Sequence, residues 1–202
     1  YLVIVLVLPM VGLLLTAFTT TLTPFIDPWT VLSTQHFRTV VDDPVFSRSI
    51  TNSLLVAVIG GALATLAIAA LSVVAHRSSF RHRGSLQYVM LYPRAMPGLV
   101  TGMAFFWSFV VLDPTNTIRS TLWAVGLAFA VRSLALGYSA FYPALAAMGE
   151  DLDRAARTSG ADWWTAMRTI VFRLLRPAMA VSFVLLFVAM LNDYDPAVFL
   201  ST

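Results

Sequence analysis

The sequence predicts an all-α bundle of membrane-crossing helices. Three observations carry that expectation. Of the 202 residues, 58% are hydrophobic and only 11% charged; mean hydropathy is +0.80; and the apolar residues come in long unbroken runs. A soluble domain of this length can bury a core, but it still needs a mostly polar surface, and this chain has too few polar residues to build one. The bilayer is the solvent that resolves the mismatch. Continuous runs, not alternation, also argue against a β-barrel.

Five spans follow in order, over residues 2–18, 52–75, 86–112, 121–145 and 177–191, and a sixth could begin just beyond Thr202. The first is long enough to cross a hydrocarbon core of roughly 30 Å with little tilt. Residues 19–50 are polar and hold Pro24, Pro28 and Pro44, which reads as a loop with one short surface helix. Asp113, Pro114 and Asn116 form a tight turn by residue type. Pro93 and Pro97 should kink or break the start of the third span, as happens where a helix lines a cavity. Tyr1 opens within an apolar run that has neither a basic leader nor a cleavage pattern. No signal peptide is read there, and the chain reads as part of a longer protein.

Charge orients the bundle. All thirteen basic residues are arginine. Eight of them (Arg77, Arg81, Arg83, Arg154, Arg157, Arg168, Arg173 and Arg176) fall in the second and fourth loops. By the positive-inside rule, these loops face the cytoplasm. Lysine and cysteine are absent, which excludes a Walker A loop, Schiff-base chemistry, disulfides and thiolate sites. His36, His76 and His82 lack metal-ligand spacing. No catalytic residue, resident metal or cofactor is expected on this chain, and no nucleic-acid partner.

The most informative segment is the fourth loop, residues 149–176. Gly160 makes a bend cheap, and Asp162 is placed to cap a following helix. Trp163, Trp164, Met167, Ile170, Val171 and Leu174 then recur at roughly helical spacing. Ala155 and Ala156 keep the preceding helix thin enough for another backbone to approach. From chemistry alone two readings stand: an amphipathic hairpin on the membrane surface, or a docking element for a partner.

Arg154-Ala155-Ala156, then Gly160, then Ile170 after nine intervening residues, resembles the cytoplasmic EAA loop of permeases in binding-protein-dependent ABC importers. Arg154 stands where that motif has glutamate, a contact that Glu150, Asp151 or Asp153 could replace, and Arg173 stands where it has proline. The stretch Pro93-Arg94-Ala95-Met96-Pro97-Gly98-Leu99-Val100 resembles permeases of the ferric-iron type. The resemblance runs from about Asn52 to Thr202. It implies a type I importer permease, with Arg154, Ala155, Ala156, Gly160 and Ile170 in a coupling loop docked on cytoplasmic ATPase subunits. ATP and magnesium would sit on that partner. Other implied partners are an extracytoplasmic substrate-binding protein and a second permease half or copy, all in an inner membrane.

Arg94 and Arg132 lie within apolar spans, where a charge costs from about 2.5 kcal/mol upward unless it meets water or a partner. They read as pathway residues or as structural ion pairs. Asp193, Tyr194 and Asp195 are hard oxygen ligands suited to a ferric ion in transit, or else a solvated extracytoplasmic loop that caps a helix. Gly98 and Gly102 have the spacing that permits close helix approach.

Overall fold

The structure, a computed structural model, describes residues 2–200 apart from 22, 24, 150, 152–154, 156, 157, 159 and 161. Two compact units divide it, Tyr1–Asn52 and Ser53–Thr202.

In the first unit, helix α1 (Leu2–Phe18) occupies the first expected span. It is apolar all round and exposed on every face, with Ile4 67% and Leu13 71% accessible, the pattern of a helix made for lipid. Pro9 lies inside it, tolerated as prolines in membrane helices are. Thr16 and Thr19 donate their hydroxyls to the carbonyls of Gly12 and Leu15, both at 2.7 Å, so neither hydroxyl is left unsatisfied. Beyond α1 the chain doubles back: Thr20 N–H donates to Val31 O at 3.1 Å and Ser33 N–H to Phe18 O at 2.8 Å. Helix α2 (Gln35–Asp42) then packs Phe37 on Phe18, ring centroids 5.1 Å apart.

The next helix starts earlier than the sequence pattern suggests. Helix α3 runs Pro44–Arg77, and Asp43 accepts the Val45 N–H at 2.8 Å. Asp43 is therefore the N-cap and Pro44 the first helical residue, a pairing that suits both. A π turn over Val56–Gly60 interrupts it.

Within the second unit, α3 packs against α6 (Leu122–Ala147) and α8 (Arg176–Asn192). Ile68, Phe141 and Leu186 are fully buried at this three-helix contact. Because lipid is as apolar as leucine, such contacts depend on close fit. Small residues supply it: Ala124, Ala128 and Ala135 are buried along α6, and Ser182 donates to the Gly137 carbonyl at 3.2 Å.

The third expected span is broken near its start, at the prolines expected to break it. Helix α4 (Arg83–Leu91) and a 3-10 turn (Tyr92–Ala95) end at Met96, and helix α5 (Gly98–Leu112) leaves at 111° to them. Pro97 is the cause: it holds Met96 extended (ψ 134°), as a residue before proline must be. The 15 residues of α5 span only about 22 Å alone. A second bend, of 65°, separates α7 (Trp163–Leu174) from α8. By length and composition, two described helices can cross a membrane, or up to four if each bent pair is one span.

The expected turn at Asp113 is present. Its carboxylate accepts the N–H groups of Ile118 (2.6 Å), Arg119 (3.0 Å) and Thr117 (3.1 Å). These donors, Ile118 first, hold its carboxyl below the usual carboxylate range.

The tightest fit predicts a measurable cost. A Cβ on Gly137 would collide with Ile68 Cδ1 and lie 3.0 Å from Ser182 Oγ and 3.1 Å from Leu186 Cδ1. Gly137→Val should destabilise the unit by about 1–3 kcal/mol, read as a lowered thermal midpoint in detergent, and Ile68→Ala in the same chain should restore part of it.

Candidate functional site

Two features remain once the core is accounted for: a charged cluster inside the apolar bundle, and the segment around Gly160.

The cluster centres on Arg132. It stands ten residues from the start of α6, about 15 Å along its axis. A guanidinium at that depth requires partners, and two carboxylates meet it. Arg132 Nε lies 2.9 Å from Asp193 Oδ2, and Nη1 lies 3.5 Å from Asp195 Oδ2. Asp193 is the C-cap of α8; Tyr194–Pro196 form the turn into a short helix, α9 (Ala197–Leu200), which packs on α5. One guanidinium and two carboxylates leave a net charge of −1, with each side chain between 19% and 31% accessible.

Gly98 and Gly102 make the approach possible. A Cβ on Gly98 would collide with Arg132 Nη1 and Asp195 Oδ2. One on Gly102 would lie 2.9 Å from Pro196 Cα and 3.2 Å from the Phe199 ring. The glycine pair therefore faces the broken α8–α9 turn, a partner its spacing does not reveal.

Asp193 and Asp195, at and just past the C-terminus of α8, are thus partly buried partners of Arg132. Tyr194 does not join them; it is 72% accessible. Arg94 is exposed on the 3-10 turn before the 111° break. Among the described residues, no three His, Cys, Asp or Glu side chains gather as a metal site.

At the other feature, Gly160 has φ +84°, a left-handed conformation cheap only for glycine. Ala155 and Thr158 before it are helical and exposed, and Thr158 donates to the Ala155 carbonyl at 2.9 Å. Arg154 and Ala156 lie outside the described residues. After the bend, Asp162 caps α7 as expected, accepting the Trp164 N–H at 2.7 Å.

The apolar face of α7 is shifted from the expected one. Met167 and Val171 are buried, with Trp163 and Ile170 partly buried, and Leu175 closes the row just past the helix. Trp164 and Leu174 are instead 61% and 54% accessible. The buried positions 163, 167, 171 and 175 recur every four residues. A π turn over Met167–Val171 accounts for this, because its wider turn keeps a four-residue repeat on one face where an α-helix would drift. This face packs on the protein core.

One junction was not legible in the sequence. The guanidinium of Arg77, at the end of α3, donates to three carbonyls at the end of α6: Leu145 (3.2 Å), Met148 and Gly149 (3.4 Å). These are carbonyls that a helix C-terminus leaves without partners. Trp163 Nε1 in turn donates to the Arg77 carbonyl at 3.1 Å.

Residues 68–201 match the family of binding-protein-dependent transport system inner membrane components. The chain belongs to that family. Family members relatable to it by sequence include a putative ferric transport system permease protein of Haemophilus influenzae, 26% identical over 154 residues, covering 76% of this chain and 24% of that protein. A molybdate/tungstate transport system permease protein of Thermococcus kodakarensis is 28% identical over 140 residues, covering 68% of this chain and 54% of that protein. The chain thus spans about a quarter of the length of the ferric relative and about half of the other. A crystal structure of a bacterial ABC transporter involved in import of the acidic polysaccharide alginate superposes with a TM-score of 0.72 at 17% identity, over 99% of this chain and 73% of that one. The fold is that of an ABC importer permease.

The cap at Asp162 can be tested directly. Asp162→Ala should cost about 1 kcal/mol locally and speed hydrogen exchange at the Trp164 amide about five-fold, whereas Asp162→Asn should leave exchange near the wild-type rate.

Proposed function

We propose that this permease carries a small cargo through the membrane at the Arg132 cluster, driven by ATP hydrolysis on separate cytoplasmic ATPase subunits. An extracytoplasmic binding protein delivers the cargo, and a second permease half or copy completes the pathway. The loops at residues 76–85 and 149–176 face the cytoplasm, and the segment of Ala155, Gly160 and Ile170, with Arg154 and Ala156, docks on the ATPase. The observation that carries the pathway is the convergence of two broken helices on one charged cluster. Helices broken at membrane depth are tolerated where they line a cavity or binding site.

Ferric iron is the cargo we favour. Relatives carry unlike cargoes by name: ferric iron, molybdate or tungstate, and starch degradation products. The net charge of −1 at the cluster opposes an oxyanion and favours a cation. Asp193 and Asp195 supply hard oxygen donors, and an arriving ferric ion would compete with Arg132 for them.

The test is reconstitution of the complete complex, with ATPase and binding protein, in vesicles. ATP-dependent uptake of ferric iron is expected. Replacing both Asp193 and Asp195 by asparagine should lower it at least about ten-fold while the ATPase still co-purifies. Uptake driven by an ion gradient without ATP, or ATP hydrolysis by this chain alone, would contradict the assignment.

A further inference from the structure

The geometry points to Arg77 and Trp163 as a two-link strut that transmits movement of α7 to α6, and so to the Arg132 cluster. The inference rests on the importer reading above, in which the segment ending in α7 docks on the ATPase.

The first link is Trp163. It sits in the first turn of α7, directly after the Gly160 bend and the Asp162 cap, and its indole N–H reaches the Arg77 carbonyl at 3.1 Å. The second link is the Arg77 side chain, which gathers the Leu145, Met148 and Gly149 carbonyls of the α6 terminus. A guanidinium fork is suited to this task, since its fixed donors hold several acceptors in one geometry and its charge favours a helix C-terminus. Beside the strut, His76 Nε2 lies 2.9 Å from the Tyr138 hydroxyl, joining α3 to α6 a second time. The ends of three helices thus meet at one residue.

The consequence is mechanical. Helix α7 cannot tilt without carrying the α3 terminus, and that terminus is fastened to α6. Helix α6 is the helix whose middle bears Arg132. Arg77 and Trp163 touch neither nucleotide nor cargo in this scheme; they are positioning residues.

Because Trp163 is the link from α7 to α3, while α3 is joined to α6 at both Arg77 and His76, breaking the Trp163 link should uncouple the two ends, breaking the Arg77 link should weaken the coupling, and breaking both should do no more than the first. Trp163→Phe keeps a large ring in the half-buried site and removes only the N–H. Arg77→Gln keeps a donor but loses the charged fork. The chain has no cysteine, so Val198→Cys, in the exposed part of α9 beside the cluster, provides a single reporter. In the complex with its ATPase, ATP plus orthovanadate should change the thiol-labelling rate of that cysteine at least about five-fold, within the range of coupling energies that mutations move. Trp163→Phe, alone or with Arg77→Gln, should abolish the change, and Arg77→Gln alone should reduce it by about half or more, while hydrolysis stays within about two-fold of wild type. A labelling change that persists in both single variants overturns the strut and leaves the importer reading standing. Loss of the labelling change together with hydrolysis overturns it as well, since the residues would then hold the fold alone. A wild-type complex that retains no ATPase removes the importer reading and the strut with it.

Discussion

The interaction on which the rest depends is the ion pairing of Arg132. A guanidinium half-way along an apolar helix is unfavourable unless carboxylates reach it. The chain solves this by ending α8 at Asn192 and turning through Asp193–Pro196. That turn needs room, which Gly98 and Gly102 provide on α5. Helix α5 in turn can present both glycines because Pro97 has broken it away from α4. Two breaks, two glycines and one charge cluster are therefore parts of one arrangement.

The segment around Gly160 serves a different need. It turns at the left-handed Gly160, and the Asp162 N-cap then starts α7. Its second helix then buries a row of one residue in four, widened by a π turn, against the core. The exposed side keeps Trp164, Thr165, Arg168 and Thr169 accessible, which leaves polar and aromatic groups available to a partner while the helix itself is fixed. Fixity on one face and exposure on the other suit the docking role proposed for this segment.

Much of this was legible along the chain, and the failures share a cause. Residues 2–18 and the bounds of α6 and α8 follow from unbroken apolar runs, which the bilayer demands. The Gly160 bend and the Asp162 cap are local chemistry, readable over a few residues. The Asp43–Pro44 helix start was equally local and was missed because Asp42, Asp43 and Pro44 resemble loop composition; the signal was the order, an N-cap followed by proline. By contrast, the Arg132 partners lie about sixty residues away in sequence, and the carbonyls that Arg77 gathers lie about seventy away. No periodicity reports such pairings. The row on α7 was misread by one position because a 3.6-residue repeat was assumed where a π turn operates.

The central claim is that Arg132 is held in the bundle by Asp193 and Asp195. Chemical unfolding of Arg132→Met, of Asp193→Asn with Asp195→Asn, and of all three changes together measures it directly. Arg132→Met leaves two carboxylates against one another, and should cost about 2 kcal/mol, below the roughly 3–5 of a fully buried pair because the side chains are partly accessible. Adding both asparagines should recover at least half of that loss. Equal and additive losses, with the triple variant the least stable of the set, would show that the three charges do not hold one another and would contradict the account.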